Sequence, residues 1–522
     1  MGVLLLQLVL LAAFSSTDAS NGKHKVLILG GGLAGLRVGQ VLHQQGVTDF
    51  LILEADSKLG GRFLSYCMPG VPACVSDIHV EPSLASPHPI RDLLDNCSIA
   101  YAPEVQTTFK SVDDDGKDVT AEVYEAFTRL GESTTSLWAN WSPDEDDMDL
   151  QGAFRIYNWH PVTPVDWAVD SLYSDILYAV KPSELSTHTY ISTLSASYAT
   201  DGSLHIYTIR NSYNGNQELV DCLKQSYLTD PDERVKLNTT VTEIQYSESG
   251  VVVTTSDGKT YEADFAVATF SLGVMQQEAV TFRPSPNYAK RKAINKFRMG
   301  YYALLYSQFS TRVDSSIDRS SSNNQPVHYV NVSPHRNVYH FFYDVYETIE
   351  EKVDHSSGFN LFSSWISGDD ALRVETQEIN KTTAELTEMF RRFFGKSTPE
   401  PKVFVSQANT NPLYYGAIPS FPSGATDEDY DKLREPLGRV FFAGDAYYMT
   451  ASLNGATRAL YSGNETAMAV IECMNGGSCA MSKFAATPPE KQCPTPGTGS
   501  GHGVVADVVA IVFFLAMSIL VY

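Results

Sequence analysis

The chain has few basic residues for its size. Its 522 residues include 38 Lys and Arg against 61 Asp and Glu, which gives a formal charge of −23. Nucleic-acid binding needs clustered cations to neutralise phosphates, so this composition argues against a nucleic-acid partner. An acidic surface suits a cationic substrate, but solubility explains it equally well, and the acidic run at 144–147 is typical of a solvated loop.

The seven cysteines lack the spacing of a metal site, because no CxxC or Cys/His pattern occurs among them. No metal is therefore expected. In an oxidising compartment they permit disulfides, and the short loops Cys67 to Cys74 and Cys473 to Cys479 are candidate pairs. The odd number leaves at least one cysteine unpaired or paired elsewhere. No internal repeat is visible.

The sequence also lacks an apolar run of the ~20 residues that a membrane-spanning helix needs. Val3 to Phe14 is short and precedes small residues at Thr17 and Ala19, which predicts a signal peptide over 1–20. The fifteen residues from Val508 to Tyr522 would span only about 22 Å as a helix. We expect a linker at 481–501 and a GPI-attachment signal at 502–522, with a short tail anchor as the alternative.

A secretory route predicts an extracellular, cell-surface protein joined to the membrane through a lipid anchor. Candidate attachment residues are Gly497, Gly499 and Ser500. Asn-x-Ser/Thr sequons, which can carry glycans on this route, occur at Asn96, Asn140, Asn238, Asn331, Asn380 and Asn464. Asn464 falls in a helix on the cofactor side and is expected to stay unmodified.

The most informative segment of the chain is 26–62. An apolar strand at 26–29 leads into a glycine-rich turn, an amphipathic helix follows, and a second apolar strand at 50–53 ends on Glu54. This order predicts a βαβ unit with a dinucleotide fingerprint. Gly30 permits the tight turn, Gly32 lets backbone N–H groups approach a pyrophosphate, and Gly35 lets helix and strand pack closely. The helix opening at Leu33 and Ala34 would stabilise the phosphates.

Glu54 argues against NADP, and two later segments favour FAD over NAD. Glu54 lies nineteen residues after Gly35, where a carboxylate can accept hydrogen bonds from the adenosine ribose and would repel a 2′-phosphate. Gly60-Gly61-Arg62 follows the second strand, and a buried strand near the C-terminus ends on Gly444 and Asp445. A strand end and helix start there can meet the ribityl and phosphate groups of a long cofactor from the other side.

Taken with these motifs, the sequence resembles the flavin-containing amine oxidases, most closely the secreted plant-type polyamine oxidases, over roughly 25–479. The resemblance rests on ordered segments at 163–166, 237–244, 271–274 and 428–445. It implies that Val241 contacts the adenine side of FAD, that Gly61 and Arg62 lie along the cofactor, and that Asp445 binds its ribityl or phosphate part.

The resemblance implies an α/β fold with a discontinuous, Rossmann-like FAD-binding domain of the glutathione-reductase type and a mixed α+β substrate-binding domain. The FAD-binding domain is predicted from three pieces, 22–100, 221–285 and 403–480. The intervening segments, 101–220 and 286–402, would form the substrate domain.

The reaction implied by the family is oxidation of a small amine to an imine, with O₂ as electron acceptor and release of H₂O₂. The chain departs from the family where a lysine, bridged by water to the flavin, is usual: Leu304 takes that place, beside Tyr302, which matches. Leucine can neither donate to a water nor carry charge. Reoxidation of the flavin or hydrolysis of the imine should therefore be slower, or the electron acceptor is not O₂.

Other positions of the predicted substrate pocket match the family pattern only in part. Glu81 matches the family's substrate-binding His or Glu and could hold an ammonium, while a tunnel acid of the plant enzymes is replaced by Leu177, next to the retained Tyr178. For the two aromatic residues that face the flavin in the family, Phe421 replaces a tryptophan, and Tyr447, Tyr448 or Leu453 stands near the expected tyrosine.

Three hypotheses follow from the sequence. The first is a surface-anchored FAD oxidoreductase acting on amines. The second is an ectodomain that binds FAD with weak or lost turnover, which Leu304 and Leu177 favour. In the third, the flavin serves another substrate, such as a hydrophobic amine or an amino acid, whose carboxylate would need an arginine such as Arg298.

Overall fold

The computed structural model describes residues 22–63, 65–66, 75–76, 89–99, 101–103, 108–142, 146–197, 207–209, 216–313, 327–336, 338–345, 360–448 and 455–483. The predicted leader, the C-terminal signal, Cys67, Cys74, Glu81 and Leu453 lie outside these residues. Within the described part of the chain, none of the helices combines the length and apolar character needed to cross a bilayer.

The strands fall into two main sheets and three short pairs. In chain order they are β1 His24–Leu29, β2 Phe50–Leu53, β3 Ser65–Tyr66, β4 Val75–Ser76, β5 Tyr101–Pro103, β6 Thr108–Val112, β7 Tyr207–Ile209, β8 Val235–Lys236, β9 Val241–Ser247, β10 Gly250–Thr255, β11 Thr260–Ala268, β12 Thr281–Arg283, β13 Arg298–Gly300, β14 Tyr302–Phe309, β15 Val327–Asn331, β16 Phe341–Asp344, β17 Asn360–Ser367, β18 Lys402–Val405, β19 Ile418–Ser420 and β20 Val440–Phe442.

The helices cover the faces of the two main sheets. They are α1 Leu33–Gln44, α2 Pro89–Cys97, α3 Thr120–Asn140, α4 Leu150–Ile156, α5 Pro164–Asp170, α6 Ile176–Tyr178, α7 Thr187–Ser197, α8 Asn216–Gln225, α9 Leu272–Gln276, α10 Tyr288–Lys296, α11 Gly368–Thr376, α12 Ile379–Phe394, α13 Asp427–Arg434 and α14 Gly455–Met474. A π-helical turn, Ser171–Asp175, joins α5 to α6, and 3₁₀ turns occur at Pro182–Glu184 and Asp445–Tyr447.

The first sheet has eight strands in the order β12-β9-β10-β11-β1-β2-β8, with β20 paired to β11. Strands β20, β11, β1, β2 and β8 run parallel to one another, whereas β9 and β10 form an antiparallel extension. The central strands are continuous apolar runs that are buried on both faces, as parallel strands covered by helices must be. The predicted α/β fold with a Rossmann-like unit is confirmed by this sheet.

Helices α1 and α14 lie side by side on this sheet. Their close approach depends on Gly463, where a Cβ atom would come 2.6 Å from the carbonyl oxygen of Ala34. Across the same contact, Arg37 donates to the Oδ1 of Asn464 at 3.1 Å. The half-buried Asn464 is therefore already engaged in a helix–helix contact.

The second sheet has six strands in the order β18-β14-β17-β16-β15-β6. Its pairs are antiparallel except for β15 with β6. The predicted domain boundaries stay a prediction, but strand β18, which the boundary at 403 assigns mainly to the FAD-binding piece, pairs with β14 in this second sheet. Position in the chain did not reveal this pairing, because it joins segments about a hundred residues apart.

Two disulfides lie within the described residues. Cys473 pairs with Cys479, which confirms one of the short-loop candidates. Cys97 pairs with Cys222 and ties α2 to α8 across 125 residues of sequence, a pairing that cysteine spacing did not predict. The other candidate pair, Cys67 with Cys74, lies outside the described residues.

Candidate functional site

A cavity of about 380 Å³ extends from the carboxyl ends of β1, β2, β11 and β20 to β14 and β17 of the second sheet. Ligands of open α/β sheets bind outside these carboxyl ends. The cavity gathers most of the residues that the sequence predicts for the site: Gly30, Gly32, Leu33, Ala34, Glu54, Gly61, Arg62, Val241, Tyr302, Leu304, Gly444 and Asp445.

The glycine-rich turn has the geometry that its sequence requires. Gly30 has φ of +120°, a conformation that favours glycine, and a Cβ atom there would meet Thr269 Oγ1 at 2.3 Å. Gly35 does not line the cavity; its missing Cβ would come 2.0 Å from the Gly30 carbonyl oxygen, so it permits packing between helix and strand. Helix α1 begins at Leu33 after the N-cap Gly32, which provides no side-chain cap.

Glu54 lies at the end of β2 with both carboxylate oxygens bonded to backbone. Oε2 accepts from Gly31 N at 2.5 Å and Oε1 accepts from Asp56 N at 2.7 Å. Burial raises the pKa of this carboxyl, and the two backbone donors oppose that shift. The carboxylate is thus held at one end of the cavity, near Thr239 and Val241, with lone pairs left to accept from a ligand hydroxyl.

The half-buried Arg62 and the buried Asp445 form an ion pair in the cavity wall. Arg62 Nη2 donates to Asp445 Oδ1 at 2.7 Å, and Nη1 donates to the Ala417 carbonyl oxygen at 2.6 Å. Asp445 follows Gly444, whose φ of +149° turns the chain after β20. The other oxygen of Asp445, Oδ2, lies beside the first residue of α14, where a Cβ on Gly455 would meet it at 3.5 Å.

These residues fit a dinucleotide cofactor. A Cβ on Gly32 would meet nothing closer than the Gly61 Cα at 3.9 Å, so the glycines leave open space over the first turn of α1. The N–H groups of that turn lack a side-chain cap and are suited to phosphate oxygens. A fixed carboxylate at one end and the Arg62–Asp445 pair farther along complete an extended cradle.

The opposite end of the cavity is built around Leu304 on β14. The Leu304 N–H donates to Ser406 Oγ at 2.9 Å, and Ser406 N–H returns a bond to the Leu304 carbonyl oxygen at 2.8 Å. Leu304 pairs in register with Trp365 of β17, and the ring of Tyr302 meets that of Trp365 edge-on at 6.0 Å. Among the described residues that line the cavity there is no lysine.

Several residues of this wall were missed by the sequence reasoning. They include Trp365, Ser406, Gln407, Thr269, Phe270 and Tyr414. The two-residue period of β17 predicts a face for Trp365, but nothing local says which sheet that face meets. Burial, with the charges of Asp56 and Glu54 adding to it, raises the pKa of Tyr414 to about 12, so this ring lines the cavity as a neutral phenol.

Of the other residues singled out from the sequence, Leu177 lines the cavity. The remaining ones that the structure describes do not line it, and Tyr178 packs near Tyr190. Phe421 packs edge-on against Phe297 and does not line the cavity. Tyr447 stacks on Phe442, and Tyr448 stacks on Tyr461.

Arg298 is also outside the cavity, although it was the candidate partner for an amino-acid carboxylate. Its side chain is 55% exposed and its Nη1 lies 3.6 Å from Glu184 Oε1. Arg62 is the only arginine among the described lining residues, and it is bound to Asp445.

Comparison with known proteins places the chain in context. The family model described as flavin containing amine oxidoreductase matches residues 33–471. A rice protein (Oryza sativa subsp. japonica) named Polyamine oxidase 6 is 28% identical over 500 residues, which cover 91% of this chain and 96% of the relative. Polyamine oxidase 1 of Zea mays is 27% identical over 495 residues, which cover 90% and 94% of the two chains.

Solved structures share the fold at low identity. A putrescine oxidase bound to putrescine superposes with a TM-score of 0.67 at 16% identity, covering 86% of this chain and 99% of its own. Cyclohexylamine oxidase from Brevibacterium oxydans superposes with a TM-score of 0.65 at 16% identity, covering 87% and 100%. These likenesses concern the fold alone.

Proposed function

The chain belongs to the family of flavin-containing amine oxidoreductases, and from this premise we propose that it is a secreted, cell-surface amine oxidase that releases H₂O₂. The predicted family resemblance is confirmed, and FAD is the cofactor of this oxidoreductase. The observation that carries the proposal is the continuity of the cavity: the cradle around Glu54 and Asp445 opens into the enclosure around Leu304.

When bound, FAD would supply the redox chemistry, which is acceptance of a hydride from the carbon beside the amine nitrogen and delivery of two electrons to O₂ to give H₂O₂. The protein itself binds and positions the cofactor and the amine. The first turn of α1 would hold the pyrophosphate, Glu54 would accept from the adenosine ribose, and Asp445, fixed by Arg62, would hold the ribityl or phosphate part. Leu304 and Trp365 exclude water from the reacting end.

The decisive experiment is spectral and catalytic together. We would purify the protein from the surface of cells that express the full chain, record its visible spectrum, and assay H₂O₂ with spermine, spermidine, aromatic amines and amino acids. A yellow protein that one amine bleaches anaerobically, with H₂O₂ released in air, supports the proposal. Folded protein that stays colourless even after reconstitution with FAD would overturn it.

A second candidate is an FAD-binding ectodomain with weak or lost turnover. The absence of a lysine among the described cavity residues favours it. The Leu304→Lys variant separates the candidates: if the wild type is yellow but unreactive and this variant gains H₂O₂ production at least tenfold, turnover was lost through this position. Leu304→Met is the matched control, because it changes shape without adding an amine.

The proposal for the cell surface is supported by the secretory signals at both ends of the sequence and by two disulfides, which persist in oxidising compartments. Four sequon asparagines are exposed on the fold: Asn96, Asn140, Asn238 and Asn380. Asn331 is 1% exposed and donates to the Val338 carbonyl oxygen, so it is not accessible to a glycan after folding.

The address is tested on cells that express the full chain. Phosphatidylinositol-specific phospholipase C should release the protein from the surface, and endoglycosidase treatment should shift its mass. Peptide mapping should find glycans among the four exposed sequons and none on Asn331 or Asn464. Protein that stays in the cytosol would contradict the secretory route, whereas lipase-resistant surface protein would favour the short tail anchor.

A further inference from the structure

Resting on the proposed function, we propose that the substrate is an amine with one basic nitrogen and an apolar body, such as an alkyl, alicyclic or arylalkyl amine. A polyamine with a second cationic nitrogen would fit this enclosure poorly. The inference comes from the side chains that surround the reacting end of the cavity and from the positions of its charges.

The reacting end is lined mainly by large apolar side chains. These are Ile176, Leu177, Leu304, Ile418 and Trp365. Leu304, Leu177 and Trp365 are each at most 7% exposed and belong to one core cluster with the aromatic residues behind them. Polar character comes from Ser406, Gln407 and the Tyr302 phenol, and Ser406 Oγ already accepts the Leu304 N–H.

The charged side chains lie at the cofactor end. Among the described lining residues they are Glu54, Arg62 and Asp445. Glu54 is bonded to the Gly31 and Asp56 N–H groups, and Arg62 and Asp445 pair with each other at 2.7 Å. With FAD bound, these groups face the cofactor, so none of them is placed to neutralise a distal ammonium. Arg298 is ion-paired with Glu184 outside the cavity, which also disfavours an amino acid.

Physical chemistry then selects among amines. Burial in an apolar enclosure lowers an amine's pKa, which favours the neutral nitrogen from whose α-carbon hydride is lost. That benefit applies to the reacting nitrogen, whereas a second ammonium would lose its hydration without gaining a free carboxylate partner among the described residues that line the cavity. Each extra methylene that the wall buries should tighten binding by about fourfold, as expected from its transfer out of water.

The reaction balances without any further reactant. A C–H bond beside the nitrogen breaks and its hydride goes to FAD, the nitrogen loses a proton, and a C=N bond forms. Water converts the imine to a carbonyl compound and releases ammonia when the amine is primary. O₂ takes up the two electrons and two protons as H₂O₂.

The first test compares substrates with the full-chain holoenzyme. We expect kcat/KM to rise along a series of n-alkylamines and to exceed that for putrescine and spermidine by at least tenfold. A preference for spermidine or spermine would overturn the inference while leaving amine oxidation intact. If that preference vanished in Glu81→Gln, Glu81 would be the missing ammonium partner, which contradicts the inference in the same way.

The second test is binding without turnover. Amines whose α-carbon bears no hydrogen cannot lose a hydride, so their affinity is read from the perturbation of the flavin spectrum. An α,α-dimethylalkylamine should bind at least tenfold more tightly than its analogue with a distal trimethylammonium group. Equal or reversed affinities would overturn the substrate class even in a protein without turnover, so this failure is distinguishable from failure of the proposed function.

Variants at Leu177 test the inference through an expected gain in affinity for the charged probe. Leu177→Glu should improve affinity for the distally charged probe relative to the neutral one by at least tenfold, because it supplies a carboxylate in the apolar wall. Leu177→Gln is the matched control and should weaken both probes alike. If Leu177→Glu does not fold, Ile418→Glu places the acid at a half-buried position of the same wall. An unchanged ratio in a folded acid variant would contradict the inference.

Discussion

At the scale of single residues, Arg62 connects two parts of the cofactor half. It joins Asp445, at the start of the segment leading to α14, to the Ala417 carbonyl oxygen on the turn before β19. Asp445 is 7% exposed, so its carboxylate relies on this partner. The pair therefore fixes an acid beside the cofactor and ties the segment that leads to α14 to the turn before β19.

Removing that guanidinium should weaken cofactor retention. We expect Arg62→Met to raise the dissociation constant for FAD at least tenfold, about 1.4 kcal/mol, because Asp445 is left buried without a cation. Flavin fluorescence during dilution or dialysis measures the loss. Arg298→Met is the control, since it removes an exposed arginine outside the cavity. Equal FAD affinity in both variants would show that the pair does not hold the cofactor site.

At the scale of elements, the loop after β18 is organised by one carboxylate on α11. Glu375 Oε1 accepts from Ala408 N, Asn409 N and Asn409 Nδ2, while Oε2 accepts from Thr410 N and Oγ1, at 2.7–3.0 Å. Asn409 in turn bonds both the N–H and the carbonyl oxygen of Tyr302. Helix α11 thereby fixes the loop that carries Ser406, Gln407 and Ala408 into the cavity.

Glu375→Gln should loosen this loop, because its amide directs a donor at backbone N–H groups and leaves at least one unpaired. An unsatisfied buried donor costs roughly 1–3 kcal/mol. We expect faster hydrogen exchange at 406–410 and a higher KM for amines, with FAD affinity unchanged. Glu378→Gln, at an exposed position before α12, is the control. Wild-type exchange and KM in Glu375→Gln would rule out this positioning role.

The same elements show what the sequence could reveal. The βαβ unit and its site residues were predictable because strand, glycines, helix and acid are contiguous, and Cys473 pairs with Cys479 six residues away. By contrast, Leu304 meets Ser406 across 102 residues, and Cys97 meets Cys222 across 125. Such contacts depend on which strands and helices become neighbours, and local patterns do not encode that choice.

At the scale of the whole molecule, two buried histidines, one on β15 and one just before β16, make the fold sensitive to acid. Burial lowers the pKa of His328 to about 3 and that of His340 to about 4. His328 lies among the rings of Phe341 and Tyr343, and His340 Nδ1 pairs with the Asn331 carbonyl oxygen at 2.8 Å. Both rings are neutral in the folded protein at neutral pH.

The sign of the effect follows from proton binding. A histidine in the unfolded chain has a pKa near 6.5 and binds a proton below that pH, whereas the buried ring stays neutral. The full stabilisation is therefore present above that pH and declines as the pH falls towards about 4. Each histidine contributes a slope approaching roughly 1.4 kcal/mol per pH unit. Asp175 acts in the opposite sense, because burial raises its pKa to about 6 despite Arg336, so the folded state takes up a proton there.

Urea unfolding should therefore show that the free energy of unfolding decreases from pH 7 to pH 5. The decrease is the contribution of the two histidines minus the opposing contribution of Asp175. In His328→Phe the slope of the unfolding free energy against pH should become smaller, by up to the equivalent of one proton taken up on unfolding. An apolar ring suits the aromatic surroundings and cannot bind a proton in the unfolded chain. His160→Gln changes an exposed histidine and should keep the wild-type slope. If His328→Phe keeps that slope as well, His328 is already protonated in the folded sheet, and its burial among aromatic rings does not govern the acid response.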